Sequence, residues 1–150
     1  MDIVYATSDN FVDILAVSLA SLYETNGHLS PRVWILSYGV TDSSKLKLEQ
    51  LARQHNQAPI EWLEDMTLPA ELQSDRGSLS QFGRLFLGTI LPESVHRVLH
   101  LDGDTVIKGP LDQLVETPFD GAIVMGVSDT FNKRYKQDYE IGSASCRERV

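Results

Sequence analysis

The order of predicted elements places this chain in the α/β class. Short apolar runs, which predict strands, alternate with longer segments in which apolar residues recur at helical spacing. Strands that alternate with helices predict a mostly parallel sheet with helices on both of its faces. One apolar run, residues 97–101, ends at the carboxylates of Asp102 and Asp104. Ligands of open α/β sheets bind beyond the carboxyl ends of the strands, so these two aspartates mark the expected site.

The first predicted unit is a strand, a polar turn and a helix. Residues 3–6 are apolar and predict the strand, and residues 7–10 are of types that cap helices or form turns. Apolar residues then occur around much of the helical wheel over residues 11–23. This pattern predicts a largely buried helix that ends at Asn26-Gly27. The side expected to face the core holds Phe11, Ile14, Leu15, Leu19 and Leu22.

Two further strands and a second helix are predicted before residue 64. Residues 32–38 form the second strand and residues 60–63 the third, and a proline stands just before each of them. Thr41 or Asp42 caps the helix between them, which runs to about Asn56. The two tryptophans of the chain lie on these strands and are expected in the core; they are Trp34 and Trp62.

An arginine follows in an apolar setting, after a polar loop over residues 65–78. Leucines and phenylalanines at helical spacing predict a helix over residues 79–91, which Pro92 ends. Arg84 lies within this helix, where a guanidinium group favours a bidentate anion such as phosphate or carboxylate. The alternatives are an arginine whose stem packs on the core while its head stays in solvent, or one paired with a structural aspartate.

The segment after Asp104 is less regular. Residues 106–107 predict a short strand, residues 111–116 one or two helical turns, and residues 122–127 a last strand. Asp129 follows that strand as Asp102 follows its own. If the strands are parallel, both aspartates lie at the same edge of the sheet, and the alternative is an ordinary loop aspartate.

Composition limits the class of protein. The chain has 150 residues, of which 42% are hydrophobic, enough for one domain with a sizeable core. Its formal net charge of -8 argues against nucleic acid or an anionic membrane surface as the main partner. Cys146 is the single cysteine, so no internal disulfide can form. There is no signal-peptide pattern and no apolar run of about 18 residues, so we expect a cytoplasmic protein.

The Asp102-Gly103-Asp104 sequence is a candidate metal site. Two carboxylates held close together repel, and a divalent cation offsets that cost. Mg²⁺ and Mn²⁺ prefer carboxylate oxygens, and such an ion could in turn hold a diphosphate. Gly103 has no Cβ, which permits an unusual backbone angle and close approach of a ligand. The alternative is a common Asp-Gly-Asp turn after a strand.

Several short motifs occur together along the chain. Residues 3–11 read Ile-Val-Tyr-Ala-Thr-Ser-Asp-Asn-Phe, and Phe82-Gly83-Arg84-Leu85 stands before the acidic strand. Residues 98–106 contain the D-x-D pair, and Gly109-Pro110-Leu111 and Leu114 follow. Together these motifs resemble glycosyltransferase family 8, the group of bacterial lipopolysaccharide galactosyl- and glucosyltransferases and the glycogenins. The resemblance covers residues 1–141, the donor-binding part. Residues 142–150 carry no periodicity and are expected to be a tail outside the family.

The resemblance implies a GT-A fold, a Rossmann-like, mostly parallel sheet flanked by helices and here truncated. It also implies retaining transfer of a hexose from UDP-glucose or UDP-galactose to a saccharide acceptor in lipopolysaccharide biosynthesis, with Mn²⁺ or Mg²⁺ as cofactor. By position, Asp102 and Asp104 would bind the metal ion, with Gly103 between them. Arg84 would contact the donor sugar or diphosphate, and Asp129 would face the sugar near the acceptor. The uridine and ribose pocket would be lined by Ala6, Thr7, Ser8, Asn10 and Phe11.

The opening turn departs from the family at two positions. Ser8 stands where many members have Asp, and Phe11 where many have Tyr. Ser8 can still form a hydrogen bond and Phe11 can still stack on a base, so we expect a modest effect on nucleotide affinity. Taken without the resemblance, Ser8 and Asn10 are helix caps, a role that is compatible with a nucleotide contact.

The second half of the family's sequence pattern is absent. It carries an Asn-Ala-Gly segment, a Gln-Asp pair and a late metal-binding His, and no histidine of this chain follows Asp104. We therefore expect an N-terminal fragment that is inactive alone, with peripheral membrane association through the missing part. A non-catalytic nucleotide-binding fragment is one alternative. An unrelated metal-dependent phosphoryl-transfer enzyme is another, although no Gly-rich phosphate loop is present.

Overall fold

Four parallel strands form the centre of the molecule. The structure is a computed structural model that describes residues 1–64 and 80–126. The strands are β1 (Asp2–Ser8), β2 (Arg32–Tyr38), β3 (Glu61–Leu63) and β4 (Val98–His100), in the sheet order β3-β2-β1-β4. β1 pairs with β2 over its full length and with β4 over its first three residues. The predicted parallel α/β sheet is confirmed, and β4 ends beside Val4, so the loop that follows β4 lies near the second half of β1.

Two long helices follow the first two strands. A 3₁₀ turn, Asp9–Phe11, leads into α1 (Val12–Asn26), and α2 (Asp42–Gln54) follows β2. Thr41 is the N-cap of α2, since its hydroxyl oxygen accepts a hydrogen bond from the Ser44 amide at 3.3 Å. Both predicted helices are confirmed, and α2 ends two residues before the predicted Asn56.

α1 and α2 cover one face of the sheet, and the predicted burial of α1 is partly wrong. Phe11 and Ile14 are 56% and 45% exposed, although both were expected to face the core. The residues that face the sheet instead recur every three or four positions, about one helical turn apart. Because α1 is apolar on most sides, the sequence pattern could not fix which side faces inward. The buried line consists of Val12, Leu15, Leu19 and Leu22.

The other face of the sheet is covered by the segment that carries Arg84. Val4, Trp34 and Leu36 pack there against the one-turn helix α3 (Leu87–Ile90) and the residues after it. Helices on both faces are therefore confirmed. The single predicted helix over residues 79–91 is wrong, because residues Ser80–Phe86 form a 3₁₀ helix before α3. Two glycines and a threonine lower the helix propensity of this stretch; they are Gly83, Gly88 and Thr89.

Both tryptophans donate their indole N–H to a carboxylate. Trp34 is 5% exposed and donates to Asp2 at 2.8 Å, whereas the half-buried Trp62 donates to Glu49 at 3.1 Å. Burial by itself would raise the pKa of Asp2, but hydrogen bonds from Arg32 and Trp34 outweigh it and the pKa is lowered. The predicted core position of the tryptophans is confirmed for Trp34, and Trp62 packs at the margin.

The loop after β4 is held by the end of α1. The side-chain amide of the buried Asn26 donates to the Gly109 carbonyl at 3.1 Å and its oxygen accepts from the Leu111 amide at 2.7 Å. The Ile107 amide donates to the hydroxyl of Ser21 at 2.9 Å. The predicted strand at residues 106–107 is wrong, since these backbone groups bond to side chains instead of a neighbouring strand. The helical turns expected next are confirmed as α4 (Asp112–Glu116).

The chain divides into two compact units, Met1–Val115 and Glu116–Val150. In the second unit a turn at Asp120 and Gly121, both with positive φ, brings the Ala122 amide to the Phe119 carbonyl at 2.8 Å. The last predicted strand is wrong over residues 122–126, which pair with no described strand. Within the part of the chain that the structure describes, no helix combines the length and apolar character needed to cross a bilayer.

Candidate functional site

A pocket of about 280 Å³ opens between the carboxyl end of β1 and the loop that follows β4. Three pieces of chain form it: the end of β1 with the turn that follows, the 3₁₀ helix Ser80–Phe86, and the end of β4 with the loop that follows. This is the edge at which open α/β sheets bind ligands. The lining residues are Ala6, Thr7, Ser8, Phe11, Arg84, His100, Leu101, Asp102, Gly103 and Asp104.

The structure brings together all the predicted site residues except two. Asn10 is exposed on the 3₁₀ turn and is not among the lining residues, and Asp129 lies outside the described residues. Two lining residues, His100 and Leu101, were missed. The sequence analysis did not single out His100, although it stands two residues before Asp102 at the end of β4. That position is a usable sequence signal, because the last residues of a strand reach the sheet edge.

The turn after β1 is fixed by Asp9, which the sequence analysis did not single out. One carboxylate oxygen of Asp9 accepts hydrogen bonds from the backbone amide and the hydroxyl of Thr41, each at 2.9 Å. The Thr41 amide is the main reason that the pKa of Asp9 is lowered. Ser8 occupies the N-cap position of the 3₁₀ turn but makes no side-chain capping bond. Ser8 therefore lines the pocket without the capping bond that its position allows.

Arg84 and Asp102 meet across the pocket. The distance from Arg84 Nη2 to Asp102 Oδ1 is 3.0 Å, and the two side chains are 44% and 57% exposed. The structure agrees with two of the interpretations of Arg84. Its side chain contacts an aspartate, and it lies in the candidate site. The expected apolar surroundings are wrong for this residue, since it is exposed beside the pocket.

The loop after β4 holds the two candidate metal ligands. Thr105 closes it by donating from its amide and its hydroxyl to the Asp102 carbonyl, at 3.2 and 2.7 Å. Ser18 of α1 lies 3.3 Å from the Thr105 hydroxyl and so links the loop to the helix. Gly103 does not have a positive φ, and a Cβ there would make an ordinary contact 3.7 Å from Leu15. Gly103 therefore does not use the unusual backbone angle that a glycine permits.

The two aspartates are a chemically suitable but small donor set for a divalent cation. Both are exposed at the pocket, and carboxylate oxygens are the ligands that Mg²⁺ and Mn²⁺ prefer. Within residues 1–64 and 80–126, no group of three possible His, Cys, Asp or Glu ligands occurs. A metal ion held by Asp102 and Asp104 would need its remaining ligands from elsewhere, and the oxygens of a diphosphate are of the right type.

His100 adds a neutral imidazole to the pocket. Burial lowers its pKa, and the charge of Arg84 lowers it further, against a smaller opposing effect of Asp102. Its Nε2 atom is buried and has no hydrogen-bond partner among the described residues. The positive charge that lines the pocket is therefore that of Arg84 and not of His100.

A second, mainly apolar hollow of about 300 Å³ adjoins the first at Asp104. It lies between α1 and the loop after β4. Two of its residues, Val17 and Val106, are 59% and 57% exposed. Its lining residues are Asp13, Ile14, Val17, Asp104, Thr105 and Val106.

Comparison with known proteins places the chain in a family of sugar transferases. Residues 2–148 match glycosyl transferase family 8, and the chain belongs to this family. The resemblance stated from the motifs is confirmed, and membership argues against an unrelated phosphoryl-transfer enzyme. The match extends into residues 142–148, which the sequence analysis set apart as a tail, and the structure does not describe that segment.

Particular relatives extend this picture. The chain is 29% identical over 134 residues to the lipopolysaccharide 1,2-glucosyltransferase of Escherichia coli K12, an alignment that covers 86% of this chain and 38% of that protein. The structure matches that of the galactosyltransferase LgtC in complex with donor and acceptor sugar analogues, with a TM-score of 0.78 and 23% identity. It also matches the glycosyltransferase GlyE of Streptococcus pneumoniae, with a TM-score of 0.56 and 18% identity.

These matches confirm the GT-A fold, and they are partial in length. The match to LgtC covers 96% of this chain and 53% of that chain, and the match to GlyE covers 79% of this chain and 27% of that chain. The chain therefore spans about half or less of the length of these relatives.

Proposed function

We propose that the protein is a retaining glycosyltransferase that transfers glucose or galactose from a UDP-sugar to a saccharide acceptor. The observation that carries the proposal is a single pocket lined by the turn after β1, by Arg84 and by the two aspartates. The relatives' names support a hexose, since one is a glucosyltransferase and another a galactosyltransferase. The E. coli relative acts in lipopolysaccharide synthesis by name, which supports a lipopolysaccharide saccharide as the acceptor.

The turn after β1 suits the nucleoside. Phe11 is 56% exposed at the pocket, and an open aromatic ring is a stacking platform for a base. Thr7 and Ser8 offer hydroxyl groups that can bond to the ribose, and Ala6 leaves room beside them. The bond from Thr41 to Asp9 fixes this wall before the ligand arrives, which reduces the ordering cost of binding.

Arg84 and the aspartates suit the diphosphate and the sugar. A guanidinium group forms strong, directional bonds with phosphate oxygens. Asp102 and Asp104 would hold Mn²⁺ or Mg²⁺, which when bound offsets the negative charge that grows on the leaving diphosphate. We infer that the two carboxylates alone hold the ion weakly and that the diphosphate completes its ligands. Asp129 is proposed to face the donor sugar near the acceptor.

We infer that transfer proceeds by attack from the face that the UDP leaves. The acceptor oxygen bonds to the anomeric carbon while the bond from that carbon to the phosphate oxygen breaks, and its electrons go to the phosphate. The acceptor proton passes to the departing phosphate oxygen. Arg84 contributes by stabilising the charge on that phosphate. The competing route, through a covalent sugar–enzyme intermediate, needs a nucleophilic carboxylate, and the described aspartates of this pocket are those assigned to the metal.

Because the chain spans only part of the length of its relatives, donor binding and sugar transfer are proposed separately. The 150 residues bind the UDP-sugar, and transfer needs the further length that the relatives have. We propose a cytoplasmic location, with peripheral contact with the membrane that carries the acceptor. A non-catalytic nucleotide-binding fragment remains the second candidate, and release of UDP from UDP-glucose or UDP-galactose separates the two.

Calorimetric titration of UDP in the presence and absence of Mn²⁺ tests the donor site. We expect binding that needs Mn²⁺ and that the Asp102→Asn variant weakens by about tenfold or more. Asp42→Asn is the matched control, because Asp42 is an exposed aspartate on α2 outside the pocket. Equal binding of UDP and of inorganic phosphate, or an unchanged affinity in Asp102→Asn, contradicts the proposal.

A further inference from the structure

The 3₁₀ helix that carries Arg84 lies directly on the end of β2. Gly83 is buried there, and the space that a Cβ would need is already filled. A Cβ at Gly83 would overlap the hydroxyl oxygen of Tyr38 and would lie 2.9 Å from Leu36 Cδ1. Carbon atoms pack at about 3.5 to 4.0 Å, so a side chain at this position must displace its neighbours.

The Tyr38 hydroxyl is not held in this place by a hydrogen bond. Its oxygen is buried and has no hydrogen-bond partner among the described residues, and burial raises the pKa of Tyr38. A buried polar group without a partner costs free energy, so the hydroxyl is a poor choice for stability alone. What it does in this structure is fill the space beneath Gly83. The height of the 3₁₀ helix above the sheet is therefore set where these two residues meet.

That height decides where the next residue points. Arg84 follows Gly83 and reaches Asp102 at 3.0 Å from a backbone that lies on β2. A hydrogen bond of this length is lost when the donor moves by much less than the size of an atom. We propose that Tyr38 and Gly83 are a matched pair that positions Arg84 over the donor pocket, which makes Tyr38 a positioning residue for the proposed donor site. This inference rests on the proposed function.

The most severe overlap involves one atom, the Tyr38 oxygen, and this gives a compensation test. A Cβ at Gly83 overlaps the Tyr38 oxygen, but it lies 3.4 Å from the ring carbon Cζ. Tyr38→Phe removes the oxygen and keeps the ring, so Gly83→Ala fits in the Tyr38→Phe background and not in the wild type. Leu36 Cδ1 is the end of a flexible side chain and can turn away. Core filling alone would also rescue the fold of the double variant, so positioning is identified by the recovery of UDP affinity and of the contact between Arg84 and Asp102.

The experiment compares Gly83→Ala, Tyr38→Phe and the double variant by UDP–Mn²⁺ calorimetry and thermal unfolding. We expect Tyr38→Phe to weaken UDP binding by about three- to fivefold, because the oxygen on which the 3₁₀ helix rests is gone. Gly83→Ala should lose about tenfold or more, and the double variant should regain most of that loss, because the alanine methyl takes the space that the oxygen left. An unchanged affinity in Gly83→Ala, or a double variant no better than that single one, overturns the proposal. An unchanged affinity in Tyr38→Phe also overturns the proposal. If Gly83→Ala does not fold, the double variant decides: wild-type affinity supports the matched pair, and an unfolded or weakly binding protein contradicts it.

A second readout separates this inference from the donor site itself. The ¹⁵N resonances of the Arg84 guanidinium report its contact with Asp102 without any ligand. We expect them to shift in Gly83→Ala and to return in the double variant. If wild-type protein binds no UDP, the proposed function fails, and these resonances still test the positioning of Arg84. Resonances that are the same in all four proteins overturn it.

Discussion

Arg84 and Asp102 are joined by an ion pair 3.0 Å long at the edge of the pocket. One is the residue proposed to contact the donor diphosphate, and the other is a proposed metal ligand. The guanidinium group thus places positive charge next to a carboxylate that a cation would otherwise neutralise. Both side chains are about half exposed, so the pair contributes little stability and can rearrange when a ligand arrives.

Removal of the arginine is expected to affect metal and nucleotide in opposite directions. In Arg84→Gln the Asp102 carboxylate loses a cationic partner, so Mn²⁺ binding without nucleotide should strengthen by about two- to fivefold, the range of an exposed ion pair. UDP–Mn²⁺ binding should weaken by about tenfold, because a charged bond to phosphate is lost. Electron paramagnetic resonance of free Mn²⁺ measures the first and calorimetry the second.

Arg97→Gln is the control for that pair of measurements, since Arg97 donates to the Leu114 carbonyl at 2.8 Å and does not line the pocket. Parallel changes in both affinities for Arg84→Gln would show that the residue acts on the whole site and does not compete with the metal ion.

Phe11 should matter for the nucleotide and not for the fold. Its ring is 56% exposed, so Phe11→Ala is expected to leave the unfolding temperature almost unchanged. Loss of base stacking should weaken UDP binding by about tenfold, since stacking contributes about 1–3 kcal/mol for each base. Phe11→Tyr should retain the affinity.

Leu15→Ala, on the helix α1 that follows Phe11, gives the opposite result, because Leu15 is 1% exposed in the core. It should cost about 2–5 kcal/mol of stability. A large drop in unfolding temperature for Phe11→Ala would contradict this prediction, because it would mean that the Phe11 ring packs against the core.

Asp2 gives the fold a pH dependence. Burial opposes ionisation of Asp2, but bonds from Arg32 and Trp34 prevail, so its folded-state pKa lies below the ordinary 3.8. The carboxylate therefore contributes stability fully above pH 3.8, and this contribution is lost as the pH falls through the folded pKa. Asp2→Asn should lower the free energy of unfolding by about 1 kcal/mol near neutral pH, given the partial exposure of Arg32.

Urea unfolding at several pH values measures this difference. The gap between wild type and Asp2→Asn should close in acid, as the Asp2 carboxylate becomes protonated. A gap that widens in acid would contradict the assigned direction of the pKa shift.

Local pattern was sufficient for the four strands of the sheet, but it also predicted strands at residues 106–107 and 122–126 that did not form. β2 was predicted with its observed bounds because its apolar run is flanked by Pro31 and Gly39, and the other three strands were placed within two residues at each end. The pocket followed from topology, since adjacent parallel strands end at one edge of the sheet. What could not be read locally depends on distant contacts. The 3₁₀ helix around Gly83 owes its place to Tyr38, which lies far away in sequence.

The orientation of α1 could not be predicted for a related reason. Phe11, Ile14 and Val17 are as apolar as the residues that face the sheet, so periodicity alone does not choose between the two sides. In the structure, Leu15 and Leu19 lie in the buried cluster that contains Ile3 of the sheet. His100 was missed because its neighbours in sequence, Leu99 and Leu101, suggested an ordinary core strand.

The exposed side of α1 leads to a prediction about self-association. Ile14, Val17 and Val106 are 45%, 59% and 57% exposed and line one hollow together. A contiguous apolar patch on a soluble domain tends to become covered. We expect light scattering to show that the 150-residue chain associates as its concentration rises, and Val17→Lys to reduce that association, because it puts a charge at the centre of the patch. Leu46→Lys, at a 52% exposed leucine of α2 outside the hollow, should leave it unchanged. A monomer at all concentrations, or equal effects of the two lysine variants, would mean that the hollow does not drive association.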